Sequence, residues 1–274
     1  MPTLAEMVEY LGWLTIVALL ALYLRLRQQG LHRVYRVFAA YLLFRAACIF
    51  TLAVLPPLWY LSLSRPHVPI PLGNNVYAWG WLLTTPVLWV LHILVVLELY
   101  SLVFRNYRGI ASMGRWATFA GLGIAILLSS LTLPADLSRA GEPFPILRAF
   151  VAVTRGVDSS LVLFLLFISA FLTWFPVPLC RNVVLYSTVY AVYFITTSLA
   201  ELLNNLGGRA AWALPNILLA GADLVCLAVW MLFLNREGES KRVVVRHTWA
   251  PQREEFLIQQ LSAINSTLLR SGRR

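Results

Sequence analysis

Lysine is nearly missing from this chain: the 22 basic residues are arginines except for Lys241. Charge of either sign is scarce too, at 12% of 274 residues, against roughly a quarter in a soluble domain. A retinal pigment needs a lysine inside a span for its Schiff base, so that class is excluded. Cysteine is limited to Cys48, Cys180 and Cys226, with no CxxC or Cys/His spacing. Neither a metal site nor a disulfide framework is therefore expected, and the three read as small core residues. HExxH, GxSxG and a glycine-rich phosphate loop are all missing, which removes the commonest hydrolase and nucleotide chemistries. Ser64-Arg65-Pro66-His67 resembles part of a phosphatase signature, but the remaining elements of that signature are lacking. The formal charge of +10 comes without a basic face on a folded domain, so no nucleic-acid partner is expected.

Apolar length is what the chain has. Hydrophobic residues make up 59% of it and the mean hydropathy is +0.73. About seven stretches are long enough to cross a bilayer as helices, roughly 5–25, 36–62, 76–104, 115–134, 146–174, 182–204 and 212–234. The fold class expected is all-α, a polytopic membrane bundle of about seven transmembrane helices. The N-terminal flank of the first stretch holds Glu6 and Glu9 and no Lys or Arg, whereas Arg25 and Arg27 stand at its other end, which is the reverse of a cleavable signal peptide. Arg25, Arg27, Arg33, Arg36, Arg105, Arg108, Arg115 and Arg181 fall in alternate loops, and the intervening loops carry little net charge. The positive-inside rule then puts the N-terminus outside and the C-terminus in the cytoplasm, in a plasma or inner membrane.

Prolines punctuate the loops, and most tryptophans lie near span ends, as an interfacial belt requires. Ala117, Gly121, Ala125 and Ser129 give the fourth span a small-residue stripe for close helix packing. The bundle is read as residues 1–234 and the cytoplasmic basic tail as 235–274. Within the tail, Pro251 and Glu254-Glu255 begin an amphipathic helix of about 251–270 with Leu257, Leu261, Ile264 and Leu268 on one face. That helix suits the lipid surface, self-association or a cytoplasmic protein partner.

Ionisable groups at membrane depth carry the functional signal, because each is costly there. Arg45 on the second span and Glu98 on the third are expected to pair as a buried ion pair. Arg155 and Asp158 share a face of the fifth span. On the sixth, Tyr186, Tyr190, Tyr193, Thr197, Glu201 and Asn204 recur at helical spacing, and Asn216 and Asp223 on the seventh share a face that can answer them. Together these predict a polar-lined cleft opening outward, with helix-to-helix hydrogen bonding as the alternative. His92, in the middle of the third span, reads as a hydrogen-bonded packing residue.

Several stretches form a recognisable set: Trp89–Tyr100 (WVLHILVVLELY), Tyr107–Trp116 (YRGIASMGRW), Thr154–Asp158 (TRGVD), Pro176–Val184 (PVPLCRNVV) and the tail's LSAINSTLLR. With them the chain resembles an uncharacterised family of bacterial seven-helix membrane proteins. The resemblance implies a fold but no activity. The expected function is a receptor or sensor whose outward cleft is coupled to the tail helix, with ligand unknown and no cofactor. A small-solute or proton-coupled transporter and a structural or assembly protein are the alternatives, and an enzyme is the least favoured.

Overall fold

The computed structural model describes residues 4–62, 71–104, 123, 145–174, 179–207, 213–243, 255–256, 259–260 and 262–267. The side chains of Arg155, Glu201, Asn204 and Asn216 lie outside that description, as does the fourth expected span apart from the helical Gly123. Of the described residues, 93% are helical, so the chain is all-α.

Helix α1 runs Leu4–Gln28, followed by a 3-10 turn at Leu31–Arg33 and then α2, Arg36–Ser62. Gly30, with φ of 73°, makes the reversal between α1 and the turn, in a left-handed conformation that side-chain-bearing residues rarely adopt. Helix α3 spans Pro71–Val103 and α4 spans Pro145–Trp174. Pro86 lies inside α3. Immediately before it, the Thr84 and Thr85 hydroxyls donate to the carbonyls of Gly80 and Trp81 at 2.9 and 2.7 Å. Two-residue strand β1 (Leu179–Cys180) leads into α5, Arg181–Gly207, and then α6, Ala213–Phe233. A short α7 (Arg236–Ser240) and strand β2 (Arg242–Val243) follow, within the first residues of the tail. The strands pair antiparallel, Leu179 with Val243 and Cys180 with Arg242.

The long described helices close into a ring, in which α1 contacts α2, α2 contacts α3, α3 contacts α4, α4 contacts α5, α5 contacts α6, and α6 returns to α1. Inside it lie Leu19, Leu22, Phe38, Leu42, Val95, Leu99, Leu161, Phe194 and Trp230, all buried. The outside of the ring is apolar as well. Val17, Leu83, Phe167, Val225 and Leu232 are each more than 60% exposed, and every long helix with described side chains beyond α2 turns a comparable set outward. A set of polar groups, in contrast, is drawn inward: Thr85, His92, Asp158, Asn182, Thr197 and Asp223 are buried. Water would not favour this arrangement, whereas a hydrocarbon solvent would. Among the described residues, three segments, Tyr10–Gln28, Trp79–Val103 and Arg181–Ala200, are long and apolar enough to cross a membrane. The chain is thus compatible with a protein embedded in a membrane.

Candidate functional site

The centre of the ring is organised by Arg45. Its Nη2 donates to Asp223 Oδ2 on α6 at 2.7 Å, while Nη1 donates to Tyr193 Oη on α5 at 3.1 Å and also to Tyr41 Oη. Tyr41 stands one turn before Arg45 on α2, the spacing at which helical side chains meet. The guanidinium also lies over two rings, 5.3 Å from the centroid of Tyr193 and 5.7 Å from that of Tyr41. A carboxylate, two phenol oxygens and two π-faces replace most of the water that a part-buried arginine loses.

The partner is therefore Asp223, and the expected Arg45–Glu98 pair does not form. Glu98 is committed elsewhere: its Oε1 accepts from Val37 N at 2.9 Å and its Oε2 from Phe38 N at 3.2 Å. These are among the first amides of α2, which have no partner inside their own helix. A carboxylate brought by α3 caps them and meets the positive end of the helix dipole. Arg45 lies eight residues beyond Val37, roughly 12 Å further along the axis, so Glu98 cannot serve both.

The stripe on α5 is brought inside the ring, as its spacing predicts. Its described portion is packed core instead of an open cleft. Tyr190 lies 5.0 Å from Tyr186, 5.5 Å from Phe194 and 4.7 Å from Trp230, ring centroid to ring centroid. The reason is that a tyrosine is mostly ring, and aromatic neighbours bury it well. Thr197 donates to its own helix at Tyr193 O, 2.9 Å away, and offers its hydroxyl proton to nothing across the bundle. Glu201, Asn204 and Asn216 continue the stripe beyond the described side chains.

Beside Arg45 sits a second couple. His92 on α3 and Asp158 on α4 face each other, Nδ1 to Oδ1, at 3.8 Å. His92 is boxed by Tyr41, Tyr193 and Phe194 at ring distances of 5.1, 5.8 and 5.3 Å. It packs as expected but is not hydrogen-bonded: both of its nitrogens and Asp158 Oδ1 are buried without a hydrogen-bond partner among the described residues. The side chain of Arg155, which the spacing puts on the same face as Asp158, lies outside the described residues.

A third cluster was not anticipated. At the end of α6 the chain does not leave the bundle; it folds back as α7 and β2 and straps the start of α5. Asn182 Nδ2 donates to Asn235 O at 2.7 Å and to Glu239 Oε2 at 3.1 Å. Glu239 Oε2 also accepts from Tyr35 Oη at 3.0 Å, which ties in the start of α2. Asn235 caps α7 by accepting from Gly238 N at 2.7 Å. Arg181 N donates to Lys241 O at 2.9 Å beside the strand pair. Burial, and next the Glu239 carboxylate, push the Tyr35 phenol well above its ordinary range. Gly238 is required here, since a Cβ at that position would collide with the Asn182 side-chain oxygen. The sequence signal for the strap was Asn-Arg-Glu-Gly-Glu directly after an apolar span, a cap residue followed by acids. It was passed over as part of a basic tail.

No family model matches this chain, and no curated protein or solved structure is significantly similar to it.

Proposed function

We propose that this chain is a multi-pass protein of a cell membrane, with seven spans, its N-terminus outside and its tail in the cytoplasm, working as a sensor-like bundle. The family resemblance in its sequence and the distribution of arginine between loops support the topology. The functional reading rests on one observation: the helices that hold the buried Arg45 centre also hold the strap. Helix α2 supplies Arg45 and is preceded by Tyr35, α5 supplies Tyr193 and Asn182, and α6 supplies Asp223 and runs into Asn235 and Glu239. Any change that parts Arg45 from Asp223 shifts α6 against α2 and α5. The strap, one end of which is α6 itself, then has to follow. Coupling of this kind needs an element with two arrangements that both sites bias, and the strap is the candidate.

The tail helix beyond the strap is the output, and a cytoplasmic protein or the lipid surface is its partner. Purification in mild detergent of the intact chain, and of a chain ended after Arg246, tests this. A partner or small molecule retained by the first and lost from the second supports the sensor reading. Identical co-purifying species, or none from either, argue for a structural role. A proton-coupled carrier is the second reading, favoured by the unpartnered His92 and Asp158 inside the ring. Under that reading Glu201→Gln changes solute or proton flux in liposomes, and the tail is dispensable.

A further inference from the structure

The Arg45–Asp223 pair is electrically closed, since one guanidinium meets one carboxylate at 2.7 Å. Among the described contacts Arg45 makes no direct ion pair with Asp158, although both Asp158 and His92 lie within reach of its charge. With Asp158 ionised and His92 neutral, the described groups at the centre carry one negative charge in excess, inside an apolar ring. A single proton removes that excess. The gap between the two groups is where it fits: 3.8 Å separates Nδ1 from Oδ1, and a closure of about 1 Å makes a charge-assisted hydrogen bond.

We infer that His92 and Asp158 form a proton-binding site inside the bundle, taking one proton between them from water. The proton forms an N–H bond on His92, donated to the Asp158 carboxylate, or an O–H bond on Asp158, donated to His92; the charge is the same in both forms. Among the described residues the surroundings have no competing base. From α2 the couple is faced by the Tyr41 ring and by Arg45, from α5 by Tyr193 and Phe194, and from α6 by Asp223 through Arg45. On α3 itself, Glu98 is engaged by backbone amides. On α4, Arg155 precedes Asp158 by three residues, and its side chain is outside the described set. Binding draws α3 and α4 together beside the Arg45 centre. Resting on the sensor reading above, the proton is also the stimulus that reaches the strap.

The test is made on the whole chain in lipid nanodiscs, with isotope-labelled aspartate and histidine, between about pH 4 and about pH 9. Infrared spectra report a protonated aspartate and nitrogen NMR reports a doubly protonated imidazole. The expected result is one such signal growing on acidification, missing from Asp158→Asn, and shifted in midpoint by at least about tenfold in proton affinity in His92→Gln. Should Asp158→Asn fail to fold, Asp158→Glu keeps a carboxyl and must move the same signal. If both groups stay unprotonated at the acid end, as they would were Arg155 the counter-ion of Asp158, or if the variants leave the signal unchanged, the site is refuted. Amide exchange at the strap, followed over the same pH range, separates the two readings. A titrating couple with a silent strap keeps the proton site and removes the sensor.

Discussion

Arg45 and Asp223 meet at 2.7 Å across α2 and α6. Removing either partner strands a charge in an apolar surround, whereas removing both does not. Arg45→Gln and Asp223→Asn are each expected to destabilise the bundle by about 3 kcal/mol, and the double variant by clearly less than the sum. Unfolding of the four proteins in a double-mutant cycle measures this directly. Additive losses would mean that the pair contributes nothing as a pair.

Glu98 supplies the opposite expectation. Its role is to cap α2, so Glu98→Gln weakens the structure by about 1 kcal/mol, the usual scale of a lost cap. Combined with Arg45→Gln the effects add, because the two groups share no partner. The same unfolding assay applies, and a coupling term between these two positions would restore the pair expected from sequence.

Gly238 has no room for a side chain. Gly238→Ala pushes against Asn182 and opens the strap at a cost of about 1–3 kcal/mol, local to that end. Hydrogen exchange should show fast exchange at Arg181 N and Gly238 N, while the amides of α3 keep their protection. Uniform loss of protection would show that the strap is not a separable unit.

Tyr35 gives the strap an alkaline limit. Its folded phenol holds its proton more tightly than the ordinary value of 10.0. Below that value both states are protonated and the group adds no pH dependence. Above it the unfolded chain sheds the proton while the folded one keeps it, so stability falls as pH rises. Tyr35→Phe loses the bond to Glu239, about 1 kcal/mol at neutral pH, and should flatten the alkaline decline. Exchange at the strap amides between neutral pH and about pH 11 reads both effects.

The all-helical build was legible from the apolar runs. So was the inward face of α5, because Tyr186, Tyr190, Tyr193 and Thr197 share one stripe and lipid cannot satisfy their hydroxyls. The Arg45 partner was not read correctly, though depth along the helices contained it. Arg45 lies nine residues into α2 and Asp223 ten residues before the end of α6, both about 14 Å from the same end, while Glu98 is only about 8 Å from the end of α3. Whether the stripe lines a cleft depends on how ring volumes fill a shared core, which no one-dimensional pattern encodes. The strap was hidden for another reason. Its bonds join positions as far apart as Tyr35 and Glu239, and each local segment looks like an ordinary polar loop.

The account stands on transmission from the buried centre to the strap. Hydrogen exchange at the amides of Arg181, Gly238 and Lys241, in wild type and Asp223→Asn in lipid nanodiscs, tests it most directly. Strap exchange accelerated in the variant by clearly more than exchange in α3 and α4 is the predicted result. Strap exchange unchanged in a folded Asp223→Asn protein would contradict it.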